Sequence, residues 1–227
     1  MPTKQFFTSE NLTWQGVYYH FNEWVKDGSW TKVWLAILST HKDKLDLSSI
    51  QLDGSHTLCK QGGEAVGYQG RKAAKTSNSL FLADNQGQML ACASPQAGQH
   101  HDLFNIETLF EELCEILIKA GINIKGLFLN ADAGFDAQAL RDKCKEKEIE
   151  ANIALNPRNG AVETVDYQYF DEQLYKHRTV IEQANAWMDS FKALWVRFEK
   201  KAINWVALLL LAFSVRFLRK IKQKNKS

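Results

Sequence analysis

Residues 13–26 place Trp14, Val17, Tyr18, Phe21 and Trp24 on one stripe at helical spacing. Asp27-Gly28 then reads as a turn, and a second short helix over Thr31–Ser39 turns Val33, Trp34, Ile37 and Leu38 inward. The unit has the size of a helix–turn–helix but is not notably basic, so it reads as a packed helical hairpin, with a major-groove reader as the alternative. It begins abruptly, as the tail of a larger domain would. From residue 50 the pattern shortens. Ser49–Leu52 is a short apolar run ending at Asp53, followed by the polar, Gly-rich stretch GSHTLCKQGGEAVGYQGRKAAKTSNS. Two strand-like runs, Ser79–Ala83 and Gln88–Ala93, flank DNQG, a hairpin turn with Asn85 and Gly87.

His101-Asp102 reads as the opening of a helix that points Leu103, Ile106, Leu109, Phe110, Leu113, Ile116 and Leu117 inward, with Asp102 near its N-terminus, where orphan amides favour a carboxylate. A strand over Asn123–Asn130, a helix over Phe135–Glu146 and a strand over Glu148–Ile153 follow. Residues 156–160 form a loop, and 171–199 and 201–222 are long helical stretches. Strand, strand, strand, helix, strand, helix, strand, helix is the order of an α/β layer: a mixed sheet flanked by helices, with a short N-terminal helical segment and long C-terminal helices. Ligands of such sheets gather outside strand ends. Asp53 and Asp132 both fall at the carboxyl ends of their expected strands, so neighbouring strands would make neighbouring carboxylates.

Composition narrows little. The chain has 227 residues, 45 % hydrophobic and 24 % charged, with a net charge of +2, so overall charge does not announce a nucleic-acid partner. Its distribution says more: RFLRKIKQKNKS at the C-terminus is basic and carries no acid, either a solvated frayed end or an attractor of phosphate backbones. Cys59, Cys92, Cys114 and Cys144 show neither C-x-x-C pairing nor zinc spacing and read as free thiols in a reducing cytoplasm. MPTKQFFTSEN lacks the plan of a signal peptide. The apolar run Ile203–Val215 is shorter than the roughly 18 residues that span a bilayer, and Lys200, Lys201 and Arg216 bound it, so it reads as a buried helix and no membrane partner is expected.

The candidate chemistry lies in three acids in three contexts: Asp53 in QLDGSH, Asp132 in GLFLNADAGFDA and Glu182 in YKHRTVIEQANAW. Converging from two strand ends and a helix, they make a hard oxygen site suited to Mg²⁺ or Mn²⁺, and two such ions drive in-line attack on a phosphodiester. Each has a plainer reading. Taken alone, Asp53 is a turn residue before Gly54, Asp132 a helix cap, and Glu182 the partner of Arg178 in a surface i,i+4 pair. Asp136 competes with Asp132 but reads as a surface residue of a first helical turn. Asp102 reads as a helix cap, and His100 and His101 as loop residues.

These pieces in this order resemble the DDE transposases of bacterial insertion sequences, in the IS-four/IS-five-like grouping. QLDGSH resembles the first-Asp block, and GRKAAKTSNSLFLADNQGQMLA the basic stretch and hairpin after it. GQHHD resembles the block opening the first core helix, and LNADAGFDA the second-Asp block. YKHRTVIEQANAWMDSF resembles the Glu block, with Tyr175, Arg178 and Glu182 at Y-x-x-R-x-x-x-E spacing. The resemblance covers about residues 12–220. It implies an RNase H-like catalytic domain over 49–222, preceded by a helical segment over 1–48 left from a larger DNA-binding domain and followed by a basic tail over 223–227. It implies that Asp53, Asp132 and Glu182 hold Mg²⁺ or Mn²⁺, two ions in all, for strand cleavage and strand transfer on double-stranded DNA. Arg178 would orient Glu182 or grip a phosphate, with Tyr175 beside it; Arg71, Lys72, Lys75 and the tail would contact the DNA backbone. The signature expects Lys seven positions after the Glu; Asp189 stands there, with Lys192 three residues on. The implied setting is a homo-oligomer on element-end and target DNA in a prokaryotic cytoplasm, associated with the nucleoid. A truncated copy, or the downstream product of a split reading frame whose upstream product supplies the rest, fits the short N-terminal region. A DNA-binding remnant without catalysis and an RNase H-like nuclease are the alternative readings.

Overall fold

The computed structural model describes residues 13–157 and 170–224. Two helices, α1 (Trp14–Lys26) and α2 (Ser29–Thr40), come first, then the strands β1 (Ile50–Cys59), β2 (Gly67–Gln69), β3 (Ala74–Asp84), β4 (Met89–Cys92) and β5 (Gln96–Ala97). Helix α3 (Ile106–Lys119), β6 (Phe128–Ala131), α4 (Gln138–Glu146) and β7 (Glu150–Ile153) follow. The last part comprises α5 (Glu172–Lys176), α6 (Thr179–Asp189), α7 (Lys192–Trp195), β8 (Val196–Arg197) and α8 (Ala202–Lys224).

β1 is central. One edge runs antiparallel to β3, pairing Ile50 with Asp84 through Leu58 with Thr76; the other runs parallel to β6, which is parallel to β7. β2, β5 and β4 share the outer edge of β3 along its length. The order β4-β3-β1-β6-β7, with an antiparallel first half and a parallel second half, is the RNase H-like topology that the resemblance implies.

Several elements differ from the sequence reading. β1 does not stop at Asp53 but continues to Cys59, and β3 starts at Ala74 rather than Ser79. The polar stretch between them becomes strand because its backbone continues the ladder to β3, setting Ser55 opposite Ser79, His56 opposite Asn78 and Thr57 opposite Ser77. α3 starts at Ile106 behind Asn105, so Asp102 lies outside it. The stretch 171–199 is three short helices and a strand. Asp171 caps α5 by accepting from the N–H groups of Gln173 and Leu174, both at 2.9 Å, and Ser190 Oγ donates back to the Trp187 carbonyl where α6 ends.

The core lies between the sheet and α2, α3, α4 and α8. Trp34, 1 % exposed, donates its indole N–H to the Leu90 carbonyl at 2.9 Å and meets Phe213 and Phe217 edge-on. α8 is long and apolar enough, by length and composition, to cross a membrane, more so than the thirteen-residue run suggests; Trp205, Leu209, Leu210, Phe213 and Phe217 nevertheless bury one face of it in this core. The basic C-terminal run is likewise no frayed end as far as Lys224: Arg216 lies 4.8 Å over the Trp187 ring and Lys220 faces Asp84. α1 departs from expectation too, since Val17, Tyr18 and Trp24 are exposed and only Val25 of the helix is buried among the described residues. The four cysteines are free; burial holds the thiols of Cys92, Cys114 and Cys144 at pKa values of about 12.

Trp34→Ala should cost about 3–5 kcal/mol by chemical denaturation, as loss of a fully buried aromatic does. Trp24→Ala, at an exposed position of the neighbouring helix, should stay within about 0.5 kcal/mol. Equal losses would contradict the packing described.

Candidate active site

The parallel pairing of β1 with β6 sets Ile50 against Leu129 and Gln51 against Asn130. Carried two residues further, this register brings Asp53 level with Asp132. Strand alternation puts Gln51 and Asp53 on one face of the sheet, with Asn130 and Asp132 beside them. Asp53 therefore sits inside β1, not at its end, and does not act as a turn residue. Asp132 directly follows β6, and its Oδ1 caps the single 3₁₀ turn Ala133–Phe135 by accepting from the Gly134 N–H at 2.8 Å. The cap reading and a site role are thus compatible, since one carboxylate oxygen remains outside this bond.

α6 packs on this face of β1. Asn185 donates from Nδ2 to Asp53 Oδ2 at 2.9 Å, while its own Oδ1 is buried with no partner among the described residues. Glu182, one turn earlier, is held by Arg178 at 2.8 Å; the Arg178 side chain is 20 % exposed and that of Glu182 53 %. Burial opposes the charge of Arg178, but Glu182, Tyr175 and Asp132 outweigh it and raise its pKa. The guanidinium stands 5.9 Å from the centre of the Tyr175 ring, which packs on Phe170. Arg178 thus supplies positive charge to Asp53, Asp132 and Glu182 together.

Burial, and after it the like charges of Asp132 and Asp102, push the Asp53 carboxyl up to about 6, against the pull of the Gly54 N–H and of Arg178. Asp102 is the unexpected neighbour. A Cβ on Gly54 would lie 2.3 Å from Asp102 Oδ1, and Asn78 donates to that oxygen at 2.7 Å. Asp102 therefore packs on the opposite face of β1 from Asp53, against Gly54 and Asn78, near enough for its charge to reach Asp53, and is not a helix cap. Its place in GQHHD marked it, but only the tertiary fold sets it against β1. Asn185 and His56 were also missed: His56 adjoins the Thr76 hydroxyl and feels both Asp102 and Lys72. Asp136, by contrast, is bound to Arg141 at 2.7 Å and accepts from the Asn156 N–H, so it is a nearly buried structural acid rather than a surface one.

The basic residues separate. Lys72 donates to the His56 carbonyl at 2.6 Å and lines a groove of about 290 Å³ along the far half of β1, with Ser55, Thr57, Asp189 and the exposed Trp195. Arg71 and Lys75 are exposed on the same hairpin, and Lys192 is exposed at the start of α7. Asp189 and Lys72 share the groove, so the acid at the signature Lys position faces a lysine from another element.

The donor set suits a hard divalent ion in part. Asp53 and Asp132 crowd each other beside an orphaned amide oxygen, an arrangement that favours a cation. Among the described residues, however, no three His, Cys, Asp or Glu side chains are gathered closely enough to hold an ion as they stand, and Glu182 is paired with Arg178.

A model described as the transposase DDE domain matches residues 44–217, and the chain belongs to that family. No curated protein matches it. Among solved structures, a Mos1 mariner paired-end complex with Mn aligns at 13 % identity and a TM-score of 0.37. A Mos1 transposase paired-end complex with the left transposon end aligns at 12 % and 0.36. Each alignment covers 83 % of this chain and 59 % of the other, so the chain spans about three-fifths of the length of those relatives.

Gly54→Ala should destabilise the protein by about 1–3 kcal/mol through collision with Asp102. In an Asp102→Ala background that cost should fall below about 0.5 kcal/mol; an unchanged cost would separate Asp102 from β1. A second prediction concerns pH. The folded pKa of Asp53 lies above the unfolded value of about 3.9, so the folded state holds the extra proton between the two, and the contribution of Asp53 to stability falls as pH rises from about 4 to about 6. Asp53→Asn, which cannot ionise, should match wild type near pH 4 and exceed it by about 1–3 kcal/mol above pH 6, without added metal, in urea titrations.

Proposed function

We propose that this chain is the catalytic domain of an insertion-sequence transposase that cleaves DNA strands at element ends and joins the freed ends to target DNA. The observation that supports the reading is the β1–β6 register, which, continued two residues, carries Asp53 towards Asp132, whose charge reaches it, near the helix bearing Glu182. Asp53 and Asp132 would hold a divalent ion, Mg²⁺ or Mn²⁺, with Glu182 joining them on release from Arg178 and completing a two-ion centre. Bound there, the metal would supply Lewis acidity at a phosphodiester and an activated water or 3′-hydroxyl. The chain itself keeps Asp53 largely desolvated near Asp132, holds Asp53 through Asn185, and offers Arg178 as a planar cation for a phosphate once Glu182 has left it. Lys72 in its groove, with Arg71 and Lys75 on the same hairpin, would grip the DNA backbone, and synapsis of two ends implies an oligomer on DNA, in a prokaryotic cytoplasm at the nucleoid.

A second reading, a DNA-binding remnant without catalysis, is favoured by Asp189 in the signature Lys position and by the engagement of Glu182 with Arg178. One experiment separates the two: cleavage and joining of a duplex carrying the sequences that flank this chain's own coding region, with Mg²⁺ or Mn²⁺, wild type beside Asp132→Ala. Metal-dependent cleavage should appear and fall by at least about 100-fold in the variant, more than loss of a supporting side chain produces. The same ions should raise the thermal midpoint of wild type but not of Asp132→Ala. Binding of the duplex without cleavage, and no thermal shift, would select the remnant.

A further inference from the structure

Beneath the carboxylates, one level down the same face of the sheet, runs a chain of buried polar side chains that the proposed reaction does not use. Ser49, Gln51, Asn130 and Asn152 are each at most 2 % exposed. Ser49 donates to Asn85 Oδ1 at 3.0 Å and accepts from Gln51 Nε2 at 2.8 Å. Asn130 Nδ2 donates to Gln51 Oε1 at 3.0 Å, and Asn152 Nδ2 to Asn130 Oδ1 at 2.7 Å. The registers of β1 with β6 and of β6 with β7 put Gln51, Asn130 and Asn152 at one level on three adjacent parallel strands, so the ladder follows from the sheet itself.

Its far end leaves the sheet. Asn152 accepts from the Asp171 N–H at 2.8 Å and donates to the Asp171 carbonyl at 3.0 Å, pairing with that backbone as a neighbouring strand would. Asn130 Nδ2 also donates to the Leu174 carbonyl at 3.0 Å. Asp171 and Leu174 are the cap and the first turn of α5, and the chain runs from there through Tyr175 and Arg178 into Glu182 and Asn185. An apolar face at this level would let α5 slide along the sheet. A buried amide admits one register, because any displacement leaves donors and acceptors unpaired without water to replace them.

We infer that this amide ladder is the positioning device of the site: Asn130 and Asn152 set where the α5–α6 arm, and with it Glu182 and Arg178, stands relative to Asp53 and Asp132. Asn130 precedes Asp132 and Gln51 precedes Asp53 by one alternation on the strand, so the residues that tether the arm and those that form the centre share the same two strands.

The inference rests on the transposase reading only for its kinetic arm, and the test separates the two. Asn152→Leu, of similar volume and suited to a strand, removes both bonds to Asp171; should it not fold, Asn152→Ala removes the same bonds without added bulk. Ser49→Ala, at the opposite end, weakens the ladder away from α5. Backbone hydrogen exchange should quicken at least about tenfold over residues 172–189 in the Asn152 variant, with β1 and β6 amides within about twofold of wild type. Ser49→Ala should not show that local change. In the cleavage assay, Asn152→Leu should keep its DNA Kd and lose single-turnover rate. Unchanged exchange over 172–189, or exchange that rises equally in every element, overturns the inference. So does a loss confined to DNA affinity. If wild type cleaves nothing while the local exchange result holds, the positioning role stands and the proposed reaction fails.

Discussion

Everything at the candidate site depends on one short pairing, the two residue pairs by which β1 runs parallel to β6. A parallel neighbour on that edge does what an antiparallel one would not: it runs both chains in the same direction, so residues equally spaced along the two strands arrive side by side. A slip of one residue in β6 would exchange its two faces, carrying Asn130 and Asp132 to the apolar side beside Leu52, where a carboxylate is costly, and Leu129 and Ala131 to the polar one. The hydrophobic pattern on the far face therefore enforces the polar pattern on the near one. Leu52, Leu129 and Ala131 are fully buried there, and that burial holds the carboxylates in register.

Placing acids side by side has an electrostatic consequence. Asp53 is half-desolvated, lies near Asp132 and Asp102, and resists ionisation. The protein answers with Arg178 rather than with bulk solvent, and Arg178 in turn occupies Glu182. The centre is thus balanced internally: a buried Asp53 that resists ionisation beside Asp132, a glutamate held aside, and one guanidinium among them. Such a balance suits a site that receives a polyanion together with cations, since each incoming charge relieves an interaction already present.

Much of this was legible in the chain. The alternating and helical periods located α1, α2, the β3–β4 hairpin, α4 and β7 to within a few residues, because each is decided by local spacing of apolar side chains. The parts that were not legible share a cause. The second half of β1 is polar and glycine-containing, and it becomes strand only because β3 offers a partner. The stretch 171–199 has helical periodicity throughout, yet it starts at Asp171, which Asn152 fixes, and breaks at Ser190 and where Val196 and Arg197 pair with the end of β1. Asp102 looked like a helix cap because caps are recognised from sequence neighbours, and its real neighbour, Gly54, lies 48 positions away in sequence.

The sequence by itself determined the alternation of strands and helices, the family, and the three acids set apart from one another along it, because those are properties of spacing and residue type. Tertiary structure alone decided that Asp53 and Asp132 share a face, that Asn185 joins them there, that Asp102 lies behind them against Gly54, that Asp136 pairs with Arg141 instead, and that Lys72 meets Asp189. These are outcomes of strand register and helix docking, which depend on contacts between residues far apart in the chain, and no local pattern encodes them.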